Sequence, residues 1–528
     1  MRNSVSRLRF YGVTLSFLGI MSGAALAELG DPVAKLLPND GGAQKRFGKS
    51  VAISGGLVIV GSPLDDDNGV QTGSATLFDS ATGAQILQLV PDDGAALDEF
   101  GTSVGISGTI AVVGAPKADP NGEDSGAAYL FDVTTGLQIA KLVASDGAEV
   151  HTFGTAVAID GKKVVVGAPG HSDFEGAAYI FDAVSGFQTA KLVGSDVVSL
   201  DFVGVSVAIR GNTVIVGGGG FVLGAGSAYL FDATTGLETA KLLPPDGLKG
   251  DHFGEVVAVS ETMALVGAKD GIFGSGPFKA GAAYLFDIAT GSLLMKLVPT
   301  TDPLNSSRFG SAVAINGTMA VVGAHLAAGA TPASGSAFIF DPTTGVQLAQ
   351  VSASDGASGH QFGLGAAAVD GPTIVIGAPS DSENGSNSGS AYVFEGKSLA
   401  GDVEDLSLSA GGQLAMTYEA GSSRAGWFHY MLGSASGTTP GIDFGGVAVL
   451  PLNFDGYFNM TLGSPRLAPF GKFVGMLNGA GQATSTLTIP ALLDPSLAGV
   501  VLNHAYIAAS LFQVPEFASN PVQVTLVP

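Results

Sequence analysis

The chain has 528 residues, contains no cysteine and carries a formal charge of −23. Such an acidic surface repels nucleic-acid phosphates and anionic lipid, so we expect no nucleic-acid partner. Without cysteines there are no disulfides, and stability has to come from a core that a chain of this length easily buries. The 79 glycines and the 13% of charged residues favour a β-rich extracellular protein.

Residues 1–27 have the features of a secretory signal peptide. Three arginines, Arg2, Arg7 and Arg9, precede an apolar run that ends in Ala25-Leu26-Ala27. A basic start, an apolar centre and an A-x-A end are typical of a signal peptide cleaved after that alanine. A membrane anchor is the alternative, but the run is short and rich in small residues. We therefore expect a secreted or cell-surface protein with no transmembrane segment after cleavage.

Residues 32–397 contain a pattern of about fifty residues that recurs seven times, which is typical of propeller blades. Each copy predicts four short strands. Each begins near a Phe-Gly pair, and the seven positions are Phe47-Gly48, Phe100-Gly101, Phe153-Gly154, the degenerate Phe202-Val203-Gly204, Phe253-Gly254, Phe309-Gly310 and Phe362-Gly363. Between the third and fourth strands, turns such as Asp132-Val-Thr-Thr-Gly136 pair a capping aspartate with a glycine that supplies positive φ. Tyr and Phe at alternate positions of the third strand are placed to pack between blades.

The fourth strand of the last repeat is missing from its expected place. Six copies carry it, as in Ala140-Lys141-Leu142, but nothing similar follows Glu395. The same three-residue sequence, Ala34-Lys35-Leu36, precedes the first Phe-Gly pair. In a closed ring the last blade can take its fourth strand from the N-terminus of the chain, whereas an open solenoid has no need of this arrangement. The sequence therefore predicts a seven-bladed β-propeller whose last blade is completed by the N-terminal strand.

Residues 402–528 predict a second all-β domain. Alternating segments such as those at 406–409, 447–450 and 522–526 are separated by Gly, Pro and Ser clusters, and they show no internal repeat. This arrangement favours a C-terminal β-sandwich.

The repeats resemble the FG-GAP repeats of integrin α-subunit propellers. Besides Phe-Gly, the literal Gly-Ala-Pro occurs in place at Gly114-Ala115-Pro116, Gly167-Ala168-Pro169 and Gly377-Ala378-Pro379. The resemblance implies a propeller at or outside the cell surface that serves adhesion or ligand binding. The calcium loops of integrins lie between the FG and GAP strands, where this chain has only tight turns such as Ser107-Gly108-Thr109. Those calcium sites are therefore not transferred, and the short-loop form is more similar to bacterial relatives.

Acidic residues in the loops between second and third strands are the candidate metal ligands. Alternating oxygen ligands on a glycine-containing loop suit Ca²⁺, although none of these loops has a full calcium-loop pattern. Acidic, solvent-exposed turns are the alternative. The candidates, in blades 1, 2 and 7, are Asp65, Asp67, Asp119, Asn121, Glu123, Asp381 and Glu383.

Two further patterns are assigned to the scaffold. Asp-Gly pairs recur seven residues before Phe-Gly, as at Asp146-Gly147 and Asp355-Gly356, and this fixed spacing predicts turns in which the carboxylate caps local amides. Gly101-Thr-Ser103-Val-Gly105 matches a nucleophile motif but lacks the strand-to-helix turn that the motif requires.

These features favour a secreted, non-catalytic binding or adhesion protein. The propeller face with the longer loops is expected to engage an extracellular protein or a polysaccharide. We find no catalytic residues and no certain cofactor; Ca²⁺ is the one candidate. The alternative is an extracellular lyase or hydrolase acting on polysaccharide, because propellers also host such enzymes.

Overall fold

The computed structural model describes residues 32–395 except 221–223, 272–279 and 301–306, and beyond these only short backbone strands. Within 32–395 lie seven four-stranded sheets, here called blades 1 to 7. The innermost, first strands are Ser50–Ser54, Ser103–Ser107, Ala156–Asp160, Val203–Arg210, Phe253–Val259, Phe309–Ile315 and Ala367–Asp370. The second strands are Leu57–Ser62, Ile110–Ala115, Lys163–Ala168, Thr213–Gly218, Met263–Ala268, Ala320–Ala324 and Thr373–Ala378. The third strands are Ser74–Asp79, Ala127–Asp132, Ala177–Asp182, Ser227–Asp232, Ala282–Asp287, Ser336–Phe340 and Ser390–Glu395. The fourth strands of blades 1 to 6 are Gln85–Leu89, Gln138–Leu142, Gln188–Leu192, Glu238–Leu242, Leu293–Leu297 and Gln347–Val351.

The blades form a ring. Within each blade the strands pair antiparallel in chain order, and the first strands of successive blades are neighbours. The first strand of blade 7, Ala367–Asp370, also contacts the first strand of blade 1, Ser50–Ser54. The predicted all-β, seven-bladed propeller is confirmed.

The outer edge of blade 7 pairs with the strand Ala34–Leu36. The register matches Lys35 with Tyr392 on the third strand, as Lys141 matches Tyr129 in blade 2. The amide of Val33 extends this pairing by donating to the carbonyl of Val393 at 2.8 Å.

Aromatic side chains fill the seams between blades. Phe100 lies edge-on to Tyr129 and Phe131 of blade 2, with ring centroids 5.6 and 5.8 Å apart. The three rings share a buried cluster with Ile59 and Leu77 of blade 1. Alternation along the third strand puts Tyr129 and Phe131 on one face, so the prediction that they pack between blades is confirmed. Burying each such ring stabilises the fold by roughly 1.5–3 kcal/mol.

The glycines of the repeat lie where backbones of adjacent blades touch. Gly101 has a φ of +92°, and a Cβ there would lie 2.2 Å from the carbonyl oxygen of Ser74 in blade 1. A Cβ on Gly61 would lie 2.0 Å from the carbonyl oxygen of Gly101. The hydroxyl of Ser50 donates to that same carbonyl at 2.9 Å. A larger residue at either glycine would push the blades apart, which is the physical reason for the repeated words FG and GAP.

The turns between third and fourth strands have the predicted chemistry. The carboxylate of Asp132 accepts the amide of Thr134 at 2.8 Å, and Gly136 has a φ of +73°. A register shift next to the turn marks the expected β-bulge. Asp182 and Asp232 cap the same turn in the next two blades.

Other elements lie outside the blades. A short turn, His171–Phe174, lies in the connection between the second and third strands of blade 3, and its last three residues all have positive φ. Near the N-terminus, Arg9–Phe10 pairs with Val13–Thr14. The predicted signal peptide otherwise falls outside the described residues. Within the part of the chain that the structure describes, no helix has the length and apolar character needed to cross a bilayer.

The C-terminal region is described only as backbone strands. They are Leu399–Gly401, Asp405–Ser407, Gly412–Glu419, Phe428–Ser434, Ile442–Asp443, Val449–Leu450, Phe470–Gly471, Val474–Met476, Gln482–Ile489, Val501–Ala509, Phe517–Ala518 and Val522–Val527. The predicted β-sandwich as a whole lies outside the described residues and stays a prediction.

Candidate functional site

The two faces of the propeller differ in their connections. One face carries the tight turns, such as residues 55–56 and 80–84 of blade 1. The opposite face carries the longer segments between second and third strands and those that lead into the next blade, such as residues 63–73 and 90–102. We call the latter the loop-rich face.

Acidic residues of blade 1 converge on a lysine on the loop-rich face. Asp40, Asp65 and Asp67 form a group that we call the blade-1 triad. The ammonium of Lys45 lies 2.9 Å from Asp65 and 2.6 Å from Asp67. Asp65 is 3% exposed and also accepts the hydroxyl of Ser74 at 2.6 Å. The expectation that Asp65 is a solvent-exposed loop residue is therefore wrong, because the loop folds back over it.

Blade 7 has an equivalent arrangement around Lys35. Asp355, Asp381 and Glu383 form the blade-7 triad. The Lys35 ammonium lies 2.5, 2.8 and 2.5 Å from their respective carboxylates. The hydroxyl of Tyr392 lies 2.8 Å from a carboxylate oxygen of Asp355 and 3.0 Å from one of Asp381, so it can donate to either. Asp381, at 1% exposed, is buried as Asp65 is.

Proton affinities in the blade-7 triad favour the charged forms. Burial alone would lower the pKa of Lys35, but its hydrogen bonds to Asp355, Asp381 and Glu383 outweigh burial and raise it. Burial would raise the pKa of Asp381, and the bonds from Lys35 and Ser390 instead bring it down to about 2. Each partner therefore stabilises the charge of the other.

The remaining candidate metal ligands do not join a cluster. Asp119, Asn121 and Glu123 are exposed in blade 2, where the carboxylate of Asp119 accepts the amide of Asp124 at 2.8 Å. Among the described residues, acidic triads of metal-binding geometry occur only in blades 7 and 1.

The fit of calcium to the two triads is poor as they stand. Three carboxylates are a suitable partial donor set for Ca²⁺. In each triad, however, a lysine ammonium already lies within hydrogen-bond distance of at least two carboxylates. A calcium ion would have to displace that ammonium, so calcium binding stays a prediction.

The Asp-Gly pairs turn out to link neighbouring blades. Asp146, which follows blade 2, accepts the Tyr179 hydroxyl at 2.8 Å and the Lys191 ammonium at 2.6 Å, both from blade 3. Lys191 also lies over the Tyr179 ring, 5.7 Å from its centroid. The expected capping of local amides is thus replaced by an inter-blade contact. Corresponding lysine–aspartate pairs are Lys141–Asp93, Lys241–Asp196, Lys296–Asp246 and Lys35–Asp355.

Sequence reasoning missed Asp40, Asp355, Lys35 and Lys45 as site residues. A signal for two of them was present, because Lys35 occupies the position of Lys141 in its repeat, and Asp355 belongs to an Asp-Gly pair. Aligning each Asp-Gly with the lysine of the following blade would have paired them.

Seven equivalent turns lead from the loop-rich face into the innermost strands, and we call them the axial turns. Each has four residues with the Phe-Gly pair in the middle, as in Arg46–Lys49, where the Lys49 amide donates to the Arg46 carbonyl at 3.1 Å. In blade 4, Val203 takes the place of the phenylalanine. Their first residues, all with positive φ, are Arg46, Glu99, Thr152, Phe202, His252, Arg308 and Gln361. Their last residues are Lys49, Thr102, Thr155, Val205, Glu255, Ser311 and Leu364. One backbone shape thus presents seven different pairs of side chains around the axis.

Most of the charge beside the axial turns is paired. Three ion pairs are formed by Lys117 with Glu99 at 2.6 Å, by Lys269 with Glu255, and by Arg308 with Asp270 at 3.7 Å.

Lys49 differs from these residues. It is half-buried, and among the described residues no hydrogen-bond or ion-pair partner lies within reach of its ammonium. Burial, followed by the positive charge of Arg46, lowers its pKa. Lys49 directly precedes Ser50–Ser54, the innermost strand of blade 1, so it lies close to the axis.

Among the described residues, the rings of His151 and His171 lie side by side with centroids 4.7 Å apart, and the other histidines do not join them. His252 Nδ1 lies 2.9 Å from Asp270, and His360 Nδ1 lies 3.7 Å from Asp381. Buried His325 has its pKa lowered to about 4 by burial and by the charges of Arg308 and Lys269.

The serine of the nucleophile-like motif has a structural contact. The hydroxyl of Ser103 donates to the carbonyl of Gly154 in the next blade at 2.8 Å. This is the contact that Ser50 makes one blade earlier, so the assignment of Ser103 to the scaffold agrees with its position.

Comparison with known families identifies the repeat. The FG-GAP repeat matches residues 31–78, 84–131, 137–181, 187–231, 237–286, 292–340 and 346–394, together more than half of the chain. The chain belongs to the FG-GAP repeat family. No curated protein matches this FG-GAP chain. Among solved structures it is similar to a europium-containing methanol dehydrogenase, at 10% identity and a TM-score of 0.37, covering 70% of this chain and 82% of that one. A similarity at that level carries no functional argument.

Proposed function

We propose that this FG-GAP protein is an exported, non-catalytic binding or adhesion protein whose loop-rich face engages an extracellular protein or polysaccharide. The observation that carries the proposal is the contrast between the two faces. The tight turns repeat nearly the same residues from blade to blade, as Asp132, Asp182 and Asp232 do. The axial turns keep one backbone shape while their side chains differ. Variation on a constant scaffold is what a single asymmetric binding site requires.

Export is part of the proposal. It is supported by the signal-like residues 1–27. The acidic composition suits neutral or locally basic partners better than nucleic acid. The N-terminal strand Ala34–Leu36 would then follow the cleavage site by only a few residues and would complete blade 7 in the mature protein.

The test is a screen of the full chain against a glycan array and against extracellular proteins, followed by two matched variants. D119N/E123Q neutralises exposed carboxylates on the loop-rich face, whereas D132N/D182N/D232N alters the tight turns. We expect the first variant to change ligand affinity with little change in stability. We expect the second variant to lower stability and to leave affinity unchanged. The reverse pattern would place the binding site on the tight-turn face.

The alternative function is an extracellular enzyme that acts on polysaccharide. One observation favours it: His252, Glu255 and Asp270 lie together beside an axial turn, with His252 Nδ1 2.9 Å from Asp270. The ion pairs of these carboxylates with Lys269 and Arg308 suit a fixed binding surface equally well. Incubating the full chain with polysaccharides and measuring new reducing ends and unsaturated products separates the two. Product formation that E255Q abolishes would overturn the non-catalytic proposal.

A further inference from the structure

The axial turn of blade 1 carries a cation at both ends. Arg46 is exposed at its start and Lys49 is half-buried at its end. Among the described residues, neither side chain has a hydrogen-bond or ion-pair partner. The carboxylates whose charges act on Lys49 are those of Glu99 and Glu255. Each of them already forms an ion pair with another lysine. Two positive charges therefore remain without a dedicated counter-ion, in a chain of net charge −23.

An uncompensated, partly buried ammonium is costly, and none of the described residues neutralises that of Lys49. Burial disfavours the charged form, and Arg46 adds repulsion, which is why the pKa of Lys49 is lowered. A ligand anion placed against Lys49 would relieve both effects. The energetics at this turn therefore favour binding of a negative group.

We propose that the axial turn of blade 1 is a binding site for a single carboxylate group carried by a sugar acid, with Lys49 as the charged contact and Arg46 at the rim. This proposal rests on the proposed binding function of the loop-rich face and names the chemistry that the face recognises.

Two observations narrow the ligand to a sugar acid with one charge. The overall negative charge of the protein repels a polyanion, so an otherwise neutral ligand with one carboxylate fits better. The adjacent axial turns of blades 2 and 3 present the half-buried hydroxyls of Thr102 and Thr155. Each hydroxyl donates to a backbone carbonyl and retains acceptor capacity, which suits the hydroxyl groups of a sugar.

The test is competitive acylation of the full-length protein, read by peptide mass spectrometry. Limiting acetic anhydride is applied in sodium chloride, sodium acetate, sodium glucuronate or glucose, with ionic strength held constant. Lys162 on the tight-turn face and Lys249 on the loop-rich face are exposed internal controls. In chloride we expect Lys49 to be acylated despite its partial burial, because its lowered pKa leaves more free amine. Glucuronate should slow acylation of Lys49 severalfold, acetate less so and glucose not at all, while the two control lysines stay unchanged.

Variants provide the second measurement, by titrating glucuronate calorimetrically. We expect K49M to weaken glucuronate binding about tenfold or more, the loss of one charge-assisted contact. K49R should retain most of the affinity, R46Q should lose less than K49M does, and K162M should bind as the parent does. Removing an unpaired, half-buried charge should leave K49M folded, which its thermal unfolding checks.

Three outcomes would overturn the proposal: glucose protecting Lys49 as well as glucuronate, equal protection of Lys162 and Lys249, or unchanged glucuronate affinity in K49M. Its failure is distinguishable from that of the proposed function. An extracellular ligand whose affinity depends on Asp119 and Glu123 but not on Lys49 would refute the carboxylate site alone. A screen without any ligand, together with no effect of glucuronate on Lys49, would refute the proposed function as well.

Discussion

Lysines at two places on the loop-rich face have opposite surroundings. Lys35, at the rim of blade 7, lies within 2.8 Å of three carboxylates, and these raise its pKa. Lys49, at the axis, has no such partner among the described residues, and burial with the charge of Arg46 lowers its pKa. Charge at the rim therefore joins neighbouring blades, whereas the axial turn of blade 1 holds a lysine for which the described residues offer no counter-ion.

The lysine–aspartate ion pair at the rim recurs from blade to blade. A lysine of the fourth strand meets an aspartate that follows the preceding blade in blades 2 to 5, as Lys191 meets Asp146, and Lys35 does the same in blade 7. Blade 1 has Gln88 in place of the lysine, and Lys45 supplies the cation from the chain segment before the axial turn. The axial turns show no such repetition, because their shared backbone does not constrain which side chain they present.

The largest effect on stability is expected from removing the strand that carries Lys35. Deleting residues 28–38 removes the outer strand of blade 7, the buried Leu36 and the cation of the blade-7 triad. We expect the free energy of unfolding to fall by about 5 kcal/mol or more. The exposed edge of the third strand should also pair with other chains. Denaturant unfolding and size-exclusion chromatography measure the two effects.

A matched deletion controls for the change in length. Removing residues 28–31 alone leaves Ala34–Leu36 in place and should behave as the parent does. If the longer deletion also unfolds at the parent's denaturant concentration and elutes like it, the N-terminal strand does not hold the ring closed.

Single substitutions test whether lysines at the rim and at the axis contribute differently to the free energy of unfolding. K35M leaves three carboxylates without a cation, and we expect a loss of roughly 2–4 kcal/mol in the free energy of unfolding. K45M should behave similarly in the blade-1 triad. K49M removes an unpaired charge and should change the free energy of unfolding by less than about 0.5 kcal/mol, or raise it. Equal losses in the free energy of unfolding for K35M and K49M would show that the two lysines do not differ in their contribution to stability.

Acid should affect the two regions in different pH windows. His325, which follows the second strand of blade 6, has its pKa lowered from 6.5 to about 4, so the unfolded chain takes up a proton first and stability falls as the pH drops from about 6.5 to 4. Asp381, at the rim, has its pKa lowered from 3.8 to about 2, so its contribution is lost only between about pH 4 and 2.

Unfolding free energies measured across pH separate these windows. H325Q should flatten the profile between pH 6.5 and 4, where the histidine contributes at most about 3 kcal/mol. D381N should flatten only the lower window. An H325Q profile that matches the parent's would mean that His325 accepts its proton in the folded state without penalty.

The smallest expected effect concerns divalent cations. Because lysine ammonium groups already lie in both triads, EDTA or added Ca²⁺ should shift the melting temperature of the parent by a few degrees at most. In K45M the blade-1 triad is open, and Ca²⁺ should raise the melting temperature more than it does in the parent. Complete unfolding of the parent on chelation would show that a structural calcium site is present, against the geometry of Lys45 and Lys35.

The sequence by itself determined the repeat architecture. The glycines and aromatic residues recur because each blade meets its neighbour through the same close backbone approach, as Gly61 meets Gly101, and the same buried rings, as at Phe100. Because the same packing constraint applies in each of the seven blades, it produces a repeat in the sequence. Strand number, turn chemistry and the family could be predicted from that repeat. The recurrence of Ala34-Lys35-Leu36 before the first Phe-Gly pair predicts that this strand closes the ring, and the closure stays a prediction.

Only the tertiary structure decided which charges meet. Asp65 and Asp119 occupy similar acidic loops in the sequence, yet the first is buried against Lys45 and the second is exposed. Lys49 and Lys45 are four residues apart, yet among the described residues Lys49 has no partner and Lys45 has three carboxylates. The energy of a charge depends on groups brought from distant parts of the chain and on the water excluded between them, and no local pattern encodes either.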